Sequence, residues 1–132
     1  MRTWLRSIFI IAFAVLPSVF GEKKPKMPEV SVIQFTAHRS DDLVLVDGKF
    51  KNVGEKPIRR MIYVIDFLAT DGKQVLTTQR AEIEDEVLEP GAEAEAHGQV
   101  RSPAGATSLT LRFEDAGGRA LRTGTARPYP IE

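Results

Sequence analysis

Two histidines, His38 and His97, are the only imidazoles in 132 residues, and there is no cysteine. Nucleophilic catalysis needs a Ser, Cys or Thr with a base in reach, and a metal site needs a set of ligands. His38, Ser40 and Asp41 can be written as a nucleophile, base and orienting acid. They are near neighbours in an expected loop, however, with nothing to place an oxyanion hole beside them. No Gly-x-Ser-x-Gly motif occurs. As metal ligands, two imidazoles lack a clear third partner, a His-x-His spacing or a Met-rich cluster. The run Glu82–Glu89 supplies five carboxylates in eight residues, at 82, 84, 85, 86 and 89. Calcium takes about six to eight oxygens, and this run lacks the Asp-x-Asp-x-Asp-Gly spacing that wraps them around an ion. It reads as a solvated acidic loop. The expectation is a non-enzyme with no cofactor, and metal binding at His38/His97 or at residues 82–89 is the alternative.

These residues sit between β-strand patterns. The organising stretch is Leu43 to Gly72. Its second half alternates Met61, Tyr63, Ile65 and Phe67 with Ile62, Val64, Asp66 and Leu68. A run apolar on both faces, rich in β-branched and aromatic residues, predicts a central strand covered on both sides. The strand before it, Leu43 to Phe50, turns Val44, Val46, Gly48 and Phe50 inward. A glycine inside a strand marks a bulge or a bulky neighbour against the backbone. Asn52-Val53-Gly54-Glu55 suits a type II turn with positive φ at Gly54, joining the two as a hairpin.

The chain begins with a leader pattern. Arg2 and Arg6 precede the apolar run Ile8 to Leu16, Pro17 breaks it, and Val19-Phe20-Gly21 offers a cleavage site. A spanning helix needs about 20 apolar residues, so residues 1–21 read as a secretory signal peptide, with no stable membrane span after its removal. Residues 22–28 form a charged, proline-stiffened linker. Of eighteen basic residues, Arg2 and Arg6 leave with the leader, so sixteen face eighteen acidic ones. That balance offers nucleic acid no attraction. Arg59 and Arg60 do not change this, since neighbouring strand residues face opposite ways. Trp4 leaves with the leader too, which removes the aromatic platform of a sugar-binding module.

The remaining pattern is short strands separated by turns. Glu29–Ala37 pairs Ile33 with Phe35 on one face and Val30 with Val32 on the other. Asp71-Gly72 closes the central strand, and Lys73–Arg80 reads as a polar edge strand. Pro90-Gly91 makes a turn into Ala92–Val100, where alanines alternate with charged residues. Thr107–Glu114 sends Leu109, Leu111 and Phe113 one way. Asp115–Gly118 turns into Arg119–Thr123, and residues 125–132 form an extended tail. Seven short strands with turn chemistry between them predict a single antiparallel β-sandwich over residues 29–124.

Two sets of residues carry a family resemblance. Val46-x-Gly48-x-Phe50-x-Asn52 followed by Gly54-x-Lys56-Pro57 resembles the opening of bacterial FxLYD-type domains. Ile65-Asp66-Phe67-Leu68 with Asp71-Gly72-Lys73, and Leu88-x-Pro90-Gly91, are similar to that family's later signatures. The likeness covers about residues 29–122 and departs from the pattern at Ile65 and Ala69. It implies an Ig-like β-sandwich of an exported protein, without catalytic residues. Apart from that resemblance, the lack of catalytic chemistry in the residues leaves the expectation that the module binds an exported or envelope protein, most simply through a strand edge. The expected partner-binding residues are Lys73, Thr77, Gln79, Arg80, Glu82, Glu84 and Glu86. Proline at Thr77 or Gln79, whichever backbone N–H points outward, is expected to weaken binding while sparing the fold.

Overall fold

The computed structural model describes residues 27–124 and 127–132. The expected leader, and all of the linker but Met27 and Pro28, lie outside the described residues.

Two antiparallel sheets face each other. In the first, β1 (Val30–Ser40) and β2 (Leu43–Asn52) form a hairpin through Asp41 and Asp42, and β7 (Glu93–Arg101) pairs with the far side of β2. Asp41 takes φ 58°, a left-handed conformation that Asp tolerates in turns. In the second sheet β4 (Ile62–Leu68) lies between β5 (Val75–Glu82) and β8 (Ser108–Glu114). The short β9 (Ala120–Leu121) and β10 (Tyr129–Pro130) both pair with β8. A separate two-residue ladder joins β3 (Ile58–Arg59) to β6 (Val87–Leu88). The result is the all-β, Ig-like antiparallel sandwich that the turn spacing predicts. The last expected strand, Arg119–Thr123, shortens to β9, and β10 forms within the stretch expected to be an extended tail.

The core is where the inward faces meet. Phe50 is fully buried, with ring centroids 5.6 Å from Tyr63 and 4.9 Å from Phe113 across the sandwich. Gly48 takes no bulge of its own. A Cβ there would stand 2.9 Å from Phe50 Cζ and 3.0 Å from Phe35 Cδ1, so two rings lie against its backbone. Small residues serve the same purpose on β7, where Ala94 and Ala96 stand opposite Phe50 and Gly48.

The strand pairing corrects three expectations. Ile33 and Phe35 do not share a face. The β1–β2 register slips between Val32 and Gln34, leaving Ile33 on a bulge and 49% exposed. The slip changes parity, so that Val30 and Val32 and then Phe35 and Ala37 all reach the core. Strands β2 and β4 are not a hairpin, because they belong to different sheets. The chain crosses between them on a fully buried Asn52. Its side-chain amide donates to the carbonyls of Lys56 (2.9 Å) and Leu88 (2.8 Å), and its oxygen accepts from Gly54 N–H (3.0 Å). One side chain thus ties the loop 53–57 to Leu88 of β6, and Gly54 is absent from the positive-φ glycines, which are 72, 91, 105 and 118. Finally, the long strand expected to run from Arg59 is interrupted at Arg60, which takes φ 49°, so that β4 begins at Ile62 and is buried on both faces as expected. Tyr63, Ile65 and Phe67 enter the core. Val64, fully buried on the other face, has Arg80 and Arg112 as its neighbours across the two ladders.

The two long sides of the sandwich differ. On one, the C-terminal residues bridge the sheets: Ile131 N–H donates to Thr107, Glu132 N–H to Ala37, and Arg39 N–H to Glu132. On the other, β5 and β7 run near each other, each ladder-paired on one side only.

Candidate functional site

The free edge of β5 is the expected site, and its backbone phase follows from one bond. Ile83 N–H donates to Met61 O at 3.1 Å. Backbone N–H groups alternate along an antiparallel strand, so those of Ala81, Gln79 and Thr77 point to β4. Those of Glu82, Arg80 and Thr78 point away, into the open side. Thr77 and Gln79, both partly buried, are thus inward-bonded, which corrects the expectation that one of them offers the outward donor. The register slip between Phe67 and Leu68 places a second bulge near the start of β5. Beside it Val75 and Leu76 are 51% and 37% exposed.

The outer face of β5 continues into a charged network across the second sheet. Asp66, on β4, accepts from Arg112 Nε at 2.6 Å, Arg112 Nη2 at 3.1 Å and Thr78 Oγ1 at 2.7 Å. The Arg112 bonds come first in holding the Asp66 carboxyl below its ordinary pKa, against the opposing effect of burial. Arg80 meets Glu114 at 3.5 Å and Arg60 meets Glu82 at 3.8 Å. Lys73, Glu84, Asp85 and Glu86 are exposed and form no ion pair among the described residues. The seven expected residues fall along one strand with the turn before it and the loop after it. Of them, Lys73, Arg80, Glu82, Glu84 and Glu86 present exposed side chains.

The histidines do not converge. His38 is on β1 and His97 on β7, with β2 between them. His38 Nδ1 lies 4.0 Å from Glu132, whereas His97 meets Asp47 at 2.6 Å through Nδ1 and Glu95 at 3.2 Å through Nε2. The two ring nitrogens of His97 are thus directed at separate carboxylates, which raise its pKa, Asp47 first. Among the described residues no cluster of three His, Asp or Glu side chains has metal-binding geometry. At residues 82–89, Ile83 and Leu88 turn into the core and spread the carboxylates along the surface.

No family model matches the chain, and no curated protein sequence does. Among solved structures, a GH20 exo-β-N-acetylglucosaminidase from Vibrio harveyi is 12% identical, with a TM-score of 0.40. A β-glucosidase from Kluyveromyces marxianus is 15% identical, with a TM-score of 0.41. The alignments cover 79% and 80% of this chain but only 18% and 14% of those enzymes. The chain thus spans a small part of their length.

Two features of the site were not read from sequence. Asp66 looks like a core defect in a run of apolar residues. Its partners Arg112 and Thr78 lie 46 and 12 residues away, and only the strand order makes them neighbours. The backbone phase of β5 depends on which partner residue starts its ladder, and side-chain alternation does not report that. The one available signal was Ile83, an isolated apolar residue among acids that had to turn inward.

Proposed function

We propose that this protein is an exported, non-catalytic sandwich module that binds another exported or envelope protein by accepting its strand at β5. The observation that carries the reading is the unpaired outer side of β5, with the N–H groups of Thr78, Arg80 and Glu82 directed into it. An edge strand with free donors and acceptors is a template for strand addition. The strand contains no proline, and Arg80 and nearby Lys73 limit indiscriminate pairing. The leader pattern supports export. The acidic residues 84–86 favour a strand that begins with basic residues, since an antiparallel newcomer starts at their end.

A photoreactive residue at Thr78 tests this in cells. It should crosslink to an exported protein, and Arg80→Pro in the same chain should abolish the product by removing an outward donor. Crosslinks that survive Arg80→Pro, or that form only from His97 on the first sheet, overturn the edge as the binding site.

A further inference from the structure

The free edge changes sign along its length. Lys73 stands at the turn before β5, and Glu82, Glu84, Asp85 and Glu86 follow at its far end. Of these, Lys73, Glu84, Asp85 and Glu86 carry no ion partner among the described residues. A strand that is basic at its start and acidic at its end is complementary to an antiparallel copy of itself. Parallel pairing would set like charges together at both ends.

Resting on the reading of β5 as a strand acceptor, we propose that the strand it accepts is β5 of a second copy of this chain, across a two-fold axis. Pairing about Gln79 sets Thr78 opposite Arg80 of the second copy, and Arg80 opposite Thr78. These are the residues whose N–H groups face outward, so both ladders of donors and acceptors close. The same register carries Lys73 to the side of Asp85 of the second copy, twice by symmetry. Exposed Val75 and Leu76 then lie along the joint instead of in solvent. An isologous contact uses each β5 edge once and terminates, which turns an aggregation-prone edge into a closed dimer. The two second sheets become one continuous sheet, and β7 is left free.

Sedimentation velocity over a concentration series tests this. The wild-type chain should dimerise reversibly, and less so as salt rises. Lys73→Glu alone, and Glu84→Lys with Asp85→Lys and Glu86→Lys, should each weaken the dimer roughly tenfold or more, since every reversal counts twice. An equimolar mixture of those two variants should recover dimer, as a heterodimer. Arg80→Pro should be monomeric with its thermal transition intact. A dimer indifferent to Arg80→Pro, or charge variants that fail to rescue each other, overturns the self-pairing. A wild-type monomer that crosslinks from Thr78 to a different exported protein also overturns it, while leaving strand acceptance standing. A monomer with no Thr78 crosslink removes both.

Discussion

At Gly48 an added methyl group has nowhere to go. Phe50 Cζ and Phe35 Cδ1 lie 2.9 and 3.0 Å from where it would sit, and those rings lie 6.5 Å apart, stacked at 20°. Neither can withdraw without moving the other. Gly48→Ala should therefore cost about 1–3 kcal/mol, as overpacking does, measured by denaturant unfolding. Asn52→Ala strips partners from two carbonyls and one N–H in the loops it ties. Each buried group left unpaired costs about 1–3 kcal/mol, so the sum should exceed about 2 kcal/mol and equal a large core truncation. Asp66 contributes in a pH-dependent way. Its folded pKa is depressed, first by Arg112, so its stabilisation is present above the unfolded value of about 4. It is lost as pH falls through the lower folded value. Asp66→Asn should flatten the fall in unfolding free energy below about pH 4; an unchanged slope would show that the pair is not linked to folding.

For the strands themselves, alternation was enough to orient most of the sandwich. Val44, Val46, Gly48 and Phe50 point inward on β2, as do Leu109, Leu111 and Phe113 on β8. On β7 the alternation of alanine with charged residues gives a strand, and the structure buries Ala94 and Ala96 opposite Phe50 and Gly48. Two kinds of feature were not legible. A bulge breaks alternation without a residue type that announces it, as at Ile33, and only the shared need of Val30, Val32, Phe35 and Ala37 for the core explains it. Sheet membership was also hidden. Local turn chemistry suggested that β2 returns on itself at Gly54, whereas Asn52 carries the chain to the opposite sheet through contacts with residues 56 and 88. Strand β5 allows a sharp test of its backbone phase. Gln79→Pro removes a bond to β4 and should lower stability by about 1–3 kcal/mol. Arg80→Pro removes an outward N–H and should stay within about 1 kcal/mol of wild type. Equal losses by thermal unfolding would show that the phase is inverted.

The whole molecule is closed on one side and open on the other, and its C-terminus makes the difference. Tyr129 lies with its ring centroid 5.1 Å from that of Phe35, and Arg127 sits 4.6 Å over the Tyr129 ring. Beyond it, Ile131 bonds to the second sheet and Glu132 to the first, so four residues seal a seam that would otherwise bare Phe35 and the edge of β1. The opposite terminus has less at stake. Glu29 N–H donates to Arg122 O at 2.7 Å, its carboxylate holds Arg119 at 2.9 Å, and Met27 O accepts from Arg122 Nε at 2.9 Å, so Met27–Glu29 are tied to the sandwich. A chain starting at Met27 should therefore melt cooperatively at the temperature of the chain starting at Glu22. Removing residues 129–132 should instead cost about 2–4 kcal/mol, from one aromatic contact and several backbone bonds. It also bares the edge of β1 beside an uncovered aromatic ring, in addition to the edges of β5 and β7 that are unpaired among the described residues of the wild type. The shortened chain should lose solubility with rising concentration and bind a hydrophobic dye. If it melts like wild type and stays soluble, the C-terminal strand is a passenger, and the sandwich is closed by β1 and β8 alone.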